Sequence, residues 1–79
     1  MKARIFVTLK SGVLDPQGAA IGSALHGMGF EGVTGVRQGK VFEIDMTGED
    51  RDAARDTLDA MCKRLLANTV IENYSVELE

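Results

Sequence analysis

Residues Ala3 to Leu9 alternate, with Ala3, Ile5, Val7 and Leu9 on one side and Arg4, Phe6 and Thr8 on the other. That is the period of a half-buried strand, although Phe6 sets a large apolar ring on the side expected to face water. Ala20, Ile21, Ala24, Leu25 and Met28 then recur at helical spacing, and Gly29 ends that helix. Val33 and Val36 lie three apart, which suits a strand bulged at Gly35, and Gln38-Gly39 reads as a tight hairpin turn. Phe42, Ile44 and Met46 alternate with Val41, Glu43 and Asp45 in the following strand. Thr47-Gly-Glu-Asp50 resembles a capping box with Asp in the third place. Behind it Ala54, Leu58, Met61, Cys62, Leu65 and Leu66 form one apolar stripe of a helix from about Asp50 to Ala67, and a last strand turns Tyr74, Val76 and Leu78 inward.

The order is strand, helix, hairpin of two strands, helix, strand. It predicts an α+β fold of split β-α-β type (β-α-β-β-α-β), ferredoxin-like, with an antiparallel sheet, both helices on one face and the other face open. The 79 residues are expected to make a single domain, residues 1–79. A chain this short buries only about 60% of its unfolded surface, so contact with another chain would add substantially to its stability. No apolar run approaches the roughly 20 residues of a membrane span, and MKARIFVTLKSG, with charges inside an alternating pattern, does not read as a signal peptide. One cysteine makes neither an intrachain disulfide nor a thiolate metal cluster, which suits the cytoplasm. A net charge of -3 argues against nucleic acid as a partner.

The stretch Leu9–Ile21, LKSGVLDPQGAAI, tests the chain for a phosphate loop. Asp15 sits where an N-cap belongs and Pro16 where its missing N–H costs nothing. A Walker-type loop needs Gly-x4-Gly-Lys-Ser/Thr, but here five residues separate Gly12 from Gly18 and Ala19 follows. The Asp15 carboxylate would also take the helix N–H groups that an anion needs. Gly27-Met-Gly29-Phe-Glu-Gly32 matches G-x-G-x-x-G with reversed polarity, after a helix and before a strand, so it reads as a helix stop and turn.

Other candidates give no active site. His26 lies beside the apolar stripe without an evident nucleophile, and Cys62 shares its stripe with leucines as an inert buried thiol. Glu43 and Asp45 share a strand face as solvated charges that discourage stray sheet pairing. Asn73-Tyr-Ser75 fits a glycosylation sequon only by coincidence. Arg37 and Lys40 flank the hairpin tip, either as an anion or partner contact or as a plain solvated tip. Glycines at 18, 22 and 29 burden the first helix, at about 1 kcal/mol for each interior one, which suggests close approach of a neighbouring backbone. Val13 and Leu14 stand side by side in a short loop where no period hides both. With Phe6, Gly18, Gly22, Arg37 and Lys40 they are the candidate partner contacts of an interaction module, with Asp15 and Pro16 as its structural cap.

VTLKSGVLDPQGAAI, ALHGMGF, the hairpin VRQGKVFEI and CKRLLANTVIENYSVE together resemble the PurS family, small subunits of the three-part phosphoribosylformylglycinamidine synthase, from about Val7 to Glu77. Thr69 departs from the family, which often has proline there, and so loosens the turn into the last strand. The resemblance implies a homodimer or higher assembly that bridges a glutaminase subunit and a synthetase subunit and assists ammonia transfer between them. The complex would convert formylglycinamide ribonucleotide to formylglycinamidine ribonucleotide with ATP, magnesium and glutamine. This subunit would hold no cofactor and no catalytic residue. A regulatory domain of ACT type, binding a small molecule, is the alternative with the same element order. An acylphosphatase-like enzyme would want an arginine between Lys10 and Gly18, and a ferredoxin-like RNA binder more aromatics than Phe6 on the open face.

Overall fold

The alternating segment Lys2–Leu9 forms β1, the central strand of a three-stranded sheet of order β2-β1-β3. The computed structural model describes all residues from Met1 to Glu79. Helix α1 spans Pro16–Gly27, β2 Gly39–Asp45, α2 Arg51–Met61 and β3 Glu72–Leu78; a π-helical turn, Cys62–Leu66, extends α2. Both neighbours run antiparallel to β1, with Ile5 opposite Phe42 and Val76. The fold is α+β and follows the split β-α-β pattern without its outer edge strand.

Alternation puts Ala3, Ile5 and Val7 under α2, where they meet Leu58, Cys62 and Ala67 in the core. Phe42, Ile44, Met46, Tyr74, Val76 and Leu78 pack around that centre while staying partly exposed. The opposite face is open, as expected: Phe6 lies between Val41 and Ser75, and Glu43 pairs with Lys2 at 3.7 Å and Arg4 at 3.8 Å.

Four expectations need correction. Residues 33–36 form no strand, and Gln38-Gly39 is no hairpin turn, since Gly39 opens β2. The reason is local bonding: the Gln38 amide donates to Asp15 Oδ2 at 2.8 Å and the Arg37 side chain is drawn into the first loop. These bonds tie the segment to the start of α1.

Second, only α2 packs on the sheet. Gly18 is the one buried residue of α1, which lies against residues 33–36 instead. The strands run about 26 Å and a 12-residue helix about 18 Å. Their sum of about 44 Å approaches the 48 Å long axis of the molecule, so α1 projects as an arm beyond the strand ends.

Third, the cap of α2 is Asp50 rather than Thr47; its Oδ1 accepts from the amides of Asp52 and Ala53, each at 3.1 Å. Fourth, Leu65 leaves the apolar stripe and is 84% exposed. The Ala67 amide donates to the Cys62 carbonyl five residues back at 2.9 Å. That wider turn changes the helical phase, so Leu66 and Ala67 face inward in its place.

At the far end of α1 the Gly29 amide donates to His26 O and the Phe30 amide to Leu25 O. This is the Schellman closure, which needs the left-handed backbone that Gly29 adopts at φ 89°.

Candidate partner-binding surface

The first loop, Lys10–Asp15, is held from three sides. The Lys10 amide donates to Ile71 O at 2.8 Å, anchoring the loop beside β3. From the other side Arg37 donates to three backbone carbonyls, Leu9 at 3.2 Å, Lys10 at 3.1 Å and Val13 at 3.2 Å. Below, Asp15 is buried and accepts from the Gly18 amide through Oδ1 and from the Gln38 amide through Oδ2, both at 2.8 Å. The Gln38 amide first and the Gly18 amide second hold its carboxyl below the ordinary aspartate range. With Pro16 at N1, this carboxylate caps α1 and occupies the place an anion would need. The loop therefore offers no phosphate cradle.

What it offers is shape. Leu14 is held out at 80% exposure and Val13 is half-buried beside it. Between them, Ala19, Val36 and Arg37 lies a shallow trough of about 480 Å³. Arg37 is thus committed to the loop backbone. Gly18 faces the Val36 carbonyl, so its close approach is made within the chain, whereas a side chain at Gly22 would meet only Val36 Cγ2, 3.6 Å from its Cβ. Lys40 lies on the α2 side of β2, opposite Val7, with Nζ 3.9 Å from Glu72 Oε2 and 5.9 Å from the Phe42 ring centre. Phe6 sits on the open face, remote from the loop in register. The structure therefore distributes the candidate contacts: Val13, Leu14, Arg37 and Gly18 gather around the loop, and Phe6 and Lys40 stand on opposite sheet faces.

No group of three or more His, Cys, Asp or Glu residues is placed to hold a metal ion. His26 is exposed on the arm. Cys62 is fully buried, and burial pushes its thiol above the ordinary value.

A family model for PurS, described as phosphoribosylformylglycinamidine (FGAM) synthase, matches residues 2–79. The chain belongs to the PurS family. A Synechocystis sp. protein, phosphoribosylformylglycinamidine synthase subunit PurS, is 51% identical over 95% of this chain and 75% of its own length. The crystal structure of Methanocaldococcus jannaschii PurS, one of the subunits of formylglycinamide ribonucleotide amidotransferase in the purine biosynthetic pathway, superposes with a TM-score of 0.89 at 40% identity. It covers 99% of this chain and 94% of that one. The structure of PurLQS from Thermotoga maritima contains a chain matching with a TM-score of 0.88 at 32% identity, over 96% of this chain and 93% of that one. The ACT reading finds no support in these PurS matches.

Two features of this PurS-family chain escaped sequence reasoning. Arg37 looked like a tip residue because its carbonyl partners lie 24 to 28 positions away. The Tyr74 hydroxyl donates to Asp59 Oδ1, and Lys63 Nζ stands 3.0 Å from Asp59 Oδ2. The tyrosine bond first, and the lysine second, hold the Asp59 carboxyl low, while Asp59 pushes the Tyr74 hydroxyl up. The i,i+4 spacing of Asp59 and Lys63 was a visible signal; Tyr74 joins only through the packing of β3 against α2.

Proposed function

We propose that this chain is the non-catalytic bridging subunit of an FGAM synthase in purine biosynthesis, joining the glutaminase subunit to the synthetase subunit. Ammonia released by the glutaminase must reach the synthetase without escaping to bulk water, where protonation would remove its nucleophilicity. A small rigid subunit that seals the junction serves that end. ATP and magnesium belong to the synthetase, and the cytoplasm is the compartment in which the assembly works.

The observation that carries this reading is the first loop. Arg37 and Asp15 fix its backbone while Leu14 projects into solvent. A rigid apolar projection loses little entropy on docking, whereas the same leucine on an isolated monomer gains nothing from being held out.

The test is the double variant Val13→Ser, Leu14→Ser, compared with wild type in thermal melting and in glutamine-dependent FGAM formation after mixing with the two partner subunits. Unchanged melting with lost product formation supports docking through the loop. Loss of both together assigns the pair to folding, and retention of both removes the loop from the bridge. Turnover by the purified chain alone would overturn the non-catalytic assignment.

A further inference from the structure

Three segments meet at the end of the sheet that carries the first loop, and Lys10 stitches them together. Its amide donates to Ile71 O at 2.8 Å, and its carbonyl accepts from Arg37 Nη2 at 3.1 Å. The turn Asn68–Ile71 is thereby joined to the first loop, and it is held as firmly. The Val70 amide donates to Asn68 Oδ1 at 3.2 Å, and the Asn68 amide donates to Glu72 Oε1 at 2.7 Å. From this turn Val70 projects at 81% exposure, with Ile71 exposed beside it. The loop and the turn thus each hold out an aliphatic side chain, Leu14 and Val70, on either side of the Lys10 backbone.

The charges at this end are unbalanced. The chain as a whole carries -3, yet neither Lys10 nor Arg37 takes part in an ion pair. Arg37 spends its bonds on three loop carbonyls, which carry no net charge, and its Nε–H is left to solvent. The two carboxylates nearby are already engaged. Asp15 accepts from the Gly18 and Gln38 amides at the positive end of α1. Glu72 accepts from the Asn68 amide and faces Lys40 Nζ at 3.9 Å. A carboxylate from outside the chain would therefore meet two cations that no acid of the chain itself occupies.

We propose that this end of the molecule receives an acidic segment of one partner subunit, with a carboxylate set against Lys10 and Arg37 and apolar neighbours seated on Leu14 and Val70. The inference rests on the bridging function proposed above. It adds to that reading the chemistry of the partner and a second point of contact, the Asn68–Ile71 turn. Because one backbone braces both loops, both engage the same subunit.

The test is calorimetric titration of the full chain into purified glutaminase subunit and, separately, purified synthetase subunit. Wild-type affinity for one of them should weaken as salt rises from about 0.05 M to about 0.5 M, as screening of exposed charges requires. Lys10→Gln leaves every hydrogen bond of the loop in place, because Lys10 contributes only backbone atoms to them. It should weaken binding about two- to fivefold at low salt and flatten the salt dependence. Val70→Ser should melt like wild type and bind the same subunit about fivefold or more weakly. Affinity that ignores salt, or a Lys10→Gln chain with wild-type affinity and slope, would overturn the acidic partner. Unchanged affinity of Val70→Ser, or a loss confined to the subunit that Leu14→Ser does not affect, would overturn the shared contact. Leu14→Ser separates the two readings. If it weakens binding while Lys10→Gln and Val70→Ser do not, this inference fails and bridging through the first loop stands; if it is silent with both subunits, the first-loop reading fails and takes this one with it. Sedimentation showing that Lys10→Gln or Val70→Ser alters self-association while subunit binding is unchanged would make another copy the occupant and overturn the proposal.

Discussion

Gly18 and Gly22 lie about one turn apart on α1, yet alanine should act in opposite directions at the two. At Gly22 a new Cβ would meet nothing nearer than Val36 Cγ2 at 3.6 Å, an ordinary contact. Replacing an interior helical glycine with alanine then gains about 1 kcal/mol of backbone entropy. At Gly18 the same carbon would stand 2.5 Å from Val36 O, 2.6 Å from Asp15 Oδ2 and 2.9 Å from Asp15 Cγ. None of these atoms yields easily: one belongs to the backbone, and the carboxylate is fixed by the Gly18 and Gln38 amides. Overpacking of this kind costs about 1–3 kcal/mol, toward the upper end where backbone must move. After the propensity gain of at most about 1 kcal/mol, a net loss of about 2 kcal/mol is expected. For a domain of this size each kcal/mol shifts Tm by about 4–8 °C. Gly22→Ala should therefore raise Tm by about 4–8 °C and Gly18→Ala lower it by about 8–16 °C. Melting at matched protein concentration checks this, since association also moves Tm, and amide exchange along Gly22–Gly27 reads the arm directly. Shifts of the same sign, or a rise for Gly18→Ala, would refute the close-approach argument.

Leu58 is fully buried at the centre of the core, so Leu58→Ala should cost about 2–5 kcal/mol, enough to bring a domain this small to the edge of unfolding; urea denaturation measures it. Asp15 and Asp59 both have folded pKa values below the ordinary one. Their stabilisation is therefore complete above the unfolded value of about 3.9 and lost as pH falls through the lower folded values. Urea midpoints followed into acid should show a shallower acid loss for Asp15→Asn combined with Asp59→Asn, and an unchanged slope would count against both networks. Tyr74 has its pKa raised by Asp59, so that bond contributes fully below the unfolded tyrosine value of about 10 and is lost as pH rises through the folded one. Tyr74→Phe should remove this alkaline component, as urea midpoints across that range would show.

The sequence by itself determined what depends on neighbours along the chain. Alternation in Ala3–Leu9 and Phe42–Met46 placed two strands and chose their buried faces; Asp15-Pro16 started α1 and Gly29 closed it. These are contacts within four or five residues, and each leaves its own residue type as a trace. The family likeness was also legible, through the run from Lys10 to Gly18 and its place before a glycine-bearing helix. The tertiary structure decided everything that joins distant segments. Val33 and Val36 carried a strand-like composition, but the bonds from Gln38 to Asp15 and from Arg37 to the first loop took that segment out of the sheet. The same bonds lifted α1 off the face its apolar stripe seemed to claim. The π turn moved Leu65 outward, leaving it in solvent while Leu66 and Ala67 face the core. A hydrophobic period shows that a side chain needs cover. Which surface supplies it is fixed by long-range hydrogen bonds and helical phase, and those exist only once the chain has folded.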